Sequence, residues 1–107
     1  MLPLEPRWDR PTYDLQEVQR LVGQGELSRV ISDAAVAGAH ELGFDREEIV
    51  EAVLSLNPSD FYKSMESDRF PGLWQDVYHL CFRGVYLYIK LQLDADGFAV
   101  VIQFKRR

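Results

Sequence analysis

An antiparallel sheet is written into VYLYIKLQLDADGFAVVIQFK, residues 85–105. Val85, Leu87, Ile89, Leu91 and Leu93 are aliphatic, and Tyr86, Tyr88, Lys90 and Gln92 stand between them. A period of two is the mark of a strand with one buried face. Asp94-Ala95-Asp96-Gly97 is a hairpin turn signal. Beyond it Phe98, Val100, Ile102 and Phe104 share one parity and Gln103 and Lys105 the other. Pairing Leu93 with Phe98 sets Leu91 against Val100, Ile89 against Ile102 and Leu87 against Phe104, apolar on apolar throughout. The same register places Tyr86 opposite Lys105, with Cβ atoms ~5 Å apart. Tyr88 then faces Gln103, all on the face the aliphatic core does not use.

Upstream the period changes to that of helices. Asp14 and Glu17 form a helix N-cap and its reciprocal partner, followed by Leu15, Val18, Leu21 and Val22 on one face, with Gly23 as the stop. A second helix is expected from Ser32 to Leu42, ended by Gly43, and its Ala-rich run suits close packing. Asp45 and Glu48 repeat the capping pattern ahead of Ile49, Val50, Val53, Leu54 and Leu56. Asn57-Pro58 breaks that helix, and Ser59 is expected to cap one short further turn carrying Lys63. Residues 1–13, with Pro3, Pro6 and Pro11, form an extended lead-in. Helices gathered before antiparallel strands predict an α+β fold, with the helices packed on one face of a twisted antiparallel sheet.

The chain has 107 residues, enough for one domain, 1–107, and too few for two cores. No apolar run approaches the ~20 residues of a membrane span, and MLPLEPRWDRP has neither the basic nor the apolar region of a signal peptide. A single cysteine, Cys81, excludes an internal disulfide and a multi-thiolate metal site. The expectation is a cytoplasmic protein without membrane attachment. A net charge of −5 argues against nonspecific nucleic-acid binding, and no direct DNA binding is expected. That charge is uneven: residues 1–57 hold five basic against eleven acidic side chains, and residues 58–107 seven against six. An anionic ligand would find its place in the C-terminal half.

Residues 59–78, SDFYKSMESDRFPGLWQDVY, crowd Phe61, Tyr62, Trp74 and Tyr78 around Lys63, Arg69 and Gln75. This is too irregular for a core segment and too aromatic for a plain loop. Most other charged features have ordinary explanations. Glu47, Glu48 and Glu51 suit the start of a helix, Asp94 and Asp96 suit a turn, and His40 sits within the Ala-rich helix as a structural residue. Trp74 is more often an anchor than a stacking platform. On its own, a Tyr86–Lys105 pair is what any half-exposed sheet shows on its wet face.

Taken together, SDFYKSM, WQDVY, VYLYIKLQL and VIQFK resemble the MqsR family of toxin–antitoxin mRNA interferases, in order and spacing from about Tyr13 to Lys105. The resemblance implies a RelE-like fold and a toxin that cleaves mRNA at GCU-type sites, independently of the ribosome. It also implies an antitoxin partner with a zinc-binding domain and a helix-turn-helix domain. The family's functional positions fall on Lys63, Gln75, Tyr86 and Lys105. With a two-residue turn at Arg83-Gly84, Gln75 would face Gln92, about 20 Å along the sheet from Tyr86. Either that connection is longer, or Gln75 contacts a flanking nucleotide.

RNA cleavage without a metal or other cofactor uses the ribose 2′-hydroxyl as nucleophile, and needs a base, an acid and cations around the phosphorane. Tyr86 is the candidate base, with Lys63 and Lys105 as stabilising cations. Reaching the phenolate at pH 7 costs about 4 kcal/mol, which adjacent ammonium groups reduce. Tyr62, Trp74, His79, Tyr88 and Gln103 are candidate contacts to single-stranded RNA, the aromatic ones by stacking. The alternative is a non-catalytic module of the same fold that binds an antitoxin-like regulator and modulates transcription.

Overall fold

The computed structural model describes residues 7–25, 30–93 and 98–107. Four strands, β1 (Phe61–Glu66), β2 (Trp74–Phe82), β3 (Val85–Leu93) and β4 (Ala99–Arg106), form one antiparallel sheet in the order β1-β2-β3-β4. Helices α1 (Leu15–Gln24), α2 (Asp33–Glu41) and α3 (Arg46–Leu54) precede it in the chain. They lie on one sheet face, where Val18, Val22, Ala35, Ala39, Ile49 and Val53 pack against Tyr78, Leu87, Ile89, Val101 and Phe104. The fold is α+β, of the RelE-like kind, with a helical layer on one side of the sheet and the other side open. No helix among the described residues is long and apolar enough to cross a membrane.

The helix starts follow their capping residues. Asp45 and Glu48 close a full capping box on α3, and Ser32 caps α2 by accepting from the Ala35 N–H. Asp14 caps α1 through the Gln16 N–H, but Glu17 turns to Arg20 instead of closing the expected box. Gly23 does not end α1. The helix runs on to Gln24, and the Gly25 N–H satisfies the Leu21 carbonyl. One interior glycine costs only about 1 kcal/mol, which continued backbone hydrogen bonding and the packing of Val22 outweigh.

Two other expectations give way here. Pro58–Asp60 is a 3₁₀ turn, and Lys63 lies beyond it on β1. That strand is hard to see in sequence because Tyr62 is an extra residue between Phe61, opposite Tyr78, and Lys63, opposite Val77. The bulge destroys the alternation that would have marked the strand. In the lead-in, Arg7–Asp9 forms a 3₁₀ turn instead of extended chain. Asp76, buried on β2, accepts from the Thr12 and Tyr13 N–H groups and from the Ser64 hydroxyl, at 2.7–3.0 Å. Residues 1–6 and the expected turn at 94–97 lie outside the described residues.

Arg83 (φ 51°) and Gly84 (φ 80°) make the two-residue β2–β3 turn, both in the left-handed region that such hairpins require. Arg83 also reaches Glu48 and Glu51 of α3, so those glutamates clamp the hairpin tip to the helical layer as well as favouring the helix dipole.

The β3–β4 register differs from the sequence expectation. Leu93 pairs with Ala99 and Leu91 with Val101; past a bulge at Ile102, Lys90 pairs with Gln103, Ile89 with Phe104 and Tyr88 with Lys105. Tyr86 is therefore not opposite Lys105, and Tyr88 is not opposite Gln103. Two contacts from α2 fix the bulge. The Ser32 hydroxyl donates to the Ile102 carbonyl at 2.7 Å while its N–H donates to the Val101 carbonyl at 3.0 Å. Gly38 brings α2 so near β4 that a Cβ there would stand 2.0 Å from the Phe104 carbonyl oxygen.

Candidate functional site

Paired residues in a sheet share a face, so the registers lay out the open face row by row. One row reads Lys63–Val77–Lys90–Gln103 across β1 to β4. The next carries His79, Tyr88 and Lys105, with the bulged Tyr62 stacked on His79 at 4.1 Å between ring centroids and 20° between planes. A third row pairs Met65, Gln75, Gln92 and Val100, the Gln75 amide donating to the Gln92 oxygen at 3.0 Å. At the opposite end Cys81 and Tyr86 are neighbours, and the Tyr86 carbonyl accepts from the Arg107 N–H. No aspartate or glutamate stands in any of these rows.

Tyr88 is the centre of the arrangement. The Lys105 ammonium lies 4.9 Å from its ring centroid and the Lys90 ammonium 5.9 Å, while the His79 ring approaches from β2 at 6.1 Å. Lys63 lies 5.6 Å from the Tyr62 ring. These aromatic faces hold the lysine heads by cation–π attraction. The ion pairs among the described residues use Arg20 and Arg83, and none of the three lysines enters one. Burial, then the Lys105 charge, pushes the Lys90 amine below its ordinary range. Burial, then the charges of Arg107 and Lys63, holds the His79 imidazole below its ordinary value. Burial, then Tyr62, raises the Tyr88 phenol.

Of the residues singled out in the sequence, Lys63, Tyr62, His79, Tyr88, Gln103 and Lys105 meet in two adjacent rows. Tyr86 is on the same face but one step beyond, 62% exposed and diagonal to Lys105. Gln75 is on the face too, yet buried and bonded to half-buried Gln92, about 20 Å from Tyr86 at ~3.3 Å per residue. The two-residue turn at Arg83-Gly84 thus closes the alternative of a longer connection. Trp74 has the opposite parity; its carbonyl accepts from the Tyr13 hydroxyl at 2.6 Å, which makes it part of the lead-in anchor. Lys90 is the residue that sequence reading passed over. Its signal was present, since it shares the parity of Tyr86 and Tyr88.

Among the described residues, no group of three or more His, Cys, Asp and Glu side chains could hold a metal ion. What the face presents is three ammonium groups outside the ion pairs, with the Asp68 carboxylate near enough to act on Lys90, together with stacked aromatic rings and amides. That combination suits a polyanion whose flat groups can stack.

Known proteins resemble this chain along nearly its whole length. Residues 10–106 match the family model described as motility quorum-sensing regulator, toxin of MqsA. The mRNA interferase toxin MqsR of Escherichia coli (strain K12) is 32% identical over 97 residues, covering 91% of this chain and 95% of that protein. The chain belongs to the MqsR toxin family.

Proposed function

We propose that the chain is the toxin of a type II toxin–antitoxin pair and an endoribonuclease that cuts single-stranded mRNA, independently of the ribosome and of metal, at short sites of the GCU kind. Its antitoxin is a separate protein of the MqsA kind, with a zinc-binding domain and a helix-turn-helix domain, and the pair operates in the cytoplasm. The observation that carries this reading is the open sheet face, where Lys63, Lys90 and Lys105 surround stacked aromatics without a carboxylate in the paired rows. The naming of a 32% identical relative as an mRNA interferase supports the same reading.

Phosphates of the RNA lie along the lysines, and Tyr62 and Tyr88 stack on the bases flanking the cut. Lys63 and Lys105 stabilise the charge that accumulates on the phosphorane; fixed cations already in place for that charge are a large part of such catalysis. The Tyr86 hydroxyl, diagonal to Lys105, donates to the same phosphate. Gln75 and Gln92 contact a nucleotide farther along the strand, and Gln103 one beside Lys90.

The test is cleavage of an unstructured RNA containing every trinucleotide, in excess EDTA, by the wild type, Lys63→Ala and Lys105→Ala. The expected result is cutting by the wild type that leaves 5′-hydroxyl ends, with each variant slowed 100-fold or more. No cutting by any of the three would leave the binding-module reading in its place.

A further inference from the structure

Cleavage at neutral pH needs a group that takes a proton from the 2′-hydroxyl, and a phenol is poorly matched to that pH. The one imidazole on the open face is His79. Resting on the nuclease reading above, we infer that His79 is the general base of the reaction. Its ring stacks on Tyr62, faces Tyr88, and makes no hydrogen bond among the described residues that would occupy its nitrogens.

The geometry supports this in three ways. The Tyr62 stack fixes the plane of the ring beside Tyr88. His79 on β2 and Lys105 on β4 flank Tyr88 on either side, with about 10 Å between their backbones. That span accommodates one ribose–phosphate unit between base and cation. The charged and titratable groups around the imidazole are Tyr62 and Lys63 on β1, Tyr88 and Lys90 on β3, and Lys105 and Arg107 from the β4 side. None is a carboxylate that would hold the ring protonated. Burial and the nearby positive charges favour its neutral form, which is the form a base must have at pH 7.

In the step itself, His79 accepts the 2′-hydroxyl proton as the 2′-oxygen bonds to phosphorus. The bond from phosphorus to the 5′-oxygen breaks, and that oxygen takes a proton from the Lys105 ammonium. The products are a 2′,3′-cyclic phosphate and a 5′-hydroxyl end. Solvent then returns a proton to Lys105 and removes one from His79.

The experiment measures the pH dependence of kcat/KM for the wild type, His79→Gln and His79→Ala, the last with and without free imidazole. The wild-type rate should rise with pH and level off below the ordinary imidazole pKa of about 6.5. His79→Gln should fall by 100-fold or more with KM little changed, and should lose that acid limb. Free imidazole should restore part of the His79→Ala rate. His79→Gln within threefold of the wild type, or a slow variant that keeps the same limb and gains nothing from imidazole, overturns the assignment. A wild type that cuts no RNA fails at the nuclease reading itself.

Discussion

Tyr78 sits beside His79 in the chain but on the opposite face, 1% exposed and edge-on to Phe61 at 5.6 Å. Its burial, followed by the charges of Asp76 and Asp14, pushes its phenol up to about 12. The unfolded chain releases that proton near the ordinary ~10, whereas the folded protein keeps it to about 12. The folded state therefore binds more protons between those values. The contribution of Tyr78, about 3 kcal/mol, is fully present below pH 10 and is lost as the pH climbs towards 12. Urea unfolding of the wild type and Tyr78→Phe at pH 8 and pH 11.5 tests this, since the other high-pH titrations are common to both proteins. The wild type should lose about 2 kcal/mol more than the variant over that interval; equal losses would show that the phenol does not ionise on unfolding. Single-residue parity was legible in the sequence at such positions. Alternation placed Lys105, Gln103, Tyr86 and Tyr88 on the open face, where the structure has them. Trp74 lies on the other parity, where its carbonyl holds the Tyr13 hydroxyl; residue type alone made it a candidate RNA contact and carried no information on its face.

At the level of elements, what the sequence could not fix was register. The run Phe98-Ala99-Val100-Val101-Ile102 is apolar at every position, so apolar matching cannot distinguish a pairing from its one-residue slip. The choice is made from outside the hairpin, by α2. Ser32 serves two elements at once, accepting from the Ala35 N–H to start the helix and donating to the Ile102 carbonyl that the bulge displaces. Hydrogen bonding of this kind leaves no periodic trace in sequence. The bulge at Tyr62 hid β1 for a related reason, and it also allows Tyr62 to lie over His79. Ser32→Ala should destabilise the protein by about 2 kcal/mol, combining a lost cap with an unmatched carbonyl. Hydrogen exchange should show protection in β4 from Ile102 to Lys105 falling more than protection in β2. A uniform loss across the sheet would mean that Ser32 merely caps the helix and does not hold the register.

Over the whole molecule, charge is divided between two layers. Acidic side chains gather in the helical half, where residues 1–57 carry a net −6 from five basic and eleven acidic groups. The open sheet face carries Lys63, Lys90 and Lys105 with no acidic residue in its paired rows. The overall charge of −5 thus conceals a local cationic surface, which is why composition alone pointed away from nucleic acid while the fold points towards a single strand. The helices cover one sheet face, and the pleat turns the lysines to the other. For single-stranded RNA, each phosphate neutralised contributes about −0.7 to the slope of log K against log salt. Three lysines predict a slope near −2, or roughly a twentyfold loss of affinity from 50 to 200 mM salt. Fluorescence anisotropy with an RNA whose 2′-hydroxyls are replaced by hydrogen measures binding without cleavage. Lys90→Ala should flatten the slope to about −1.4, and the equivalent change at an exposed helical cation, Arg46→Ala, should leave it near −2. Equal slopes for the wild type and Lys90→Ala would mean that the strand takes a different path and that Lys90 is only a neighbour of the site.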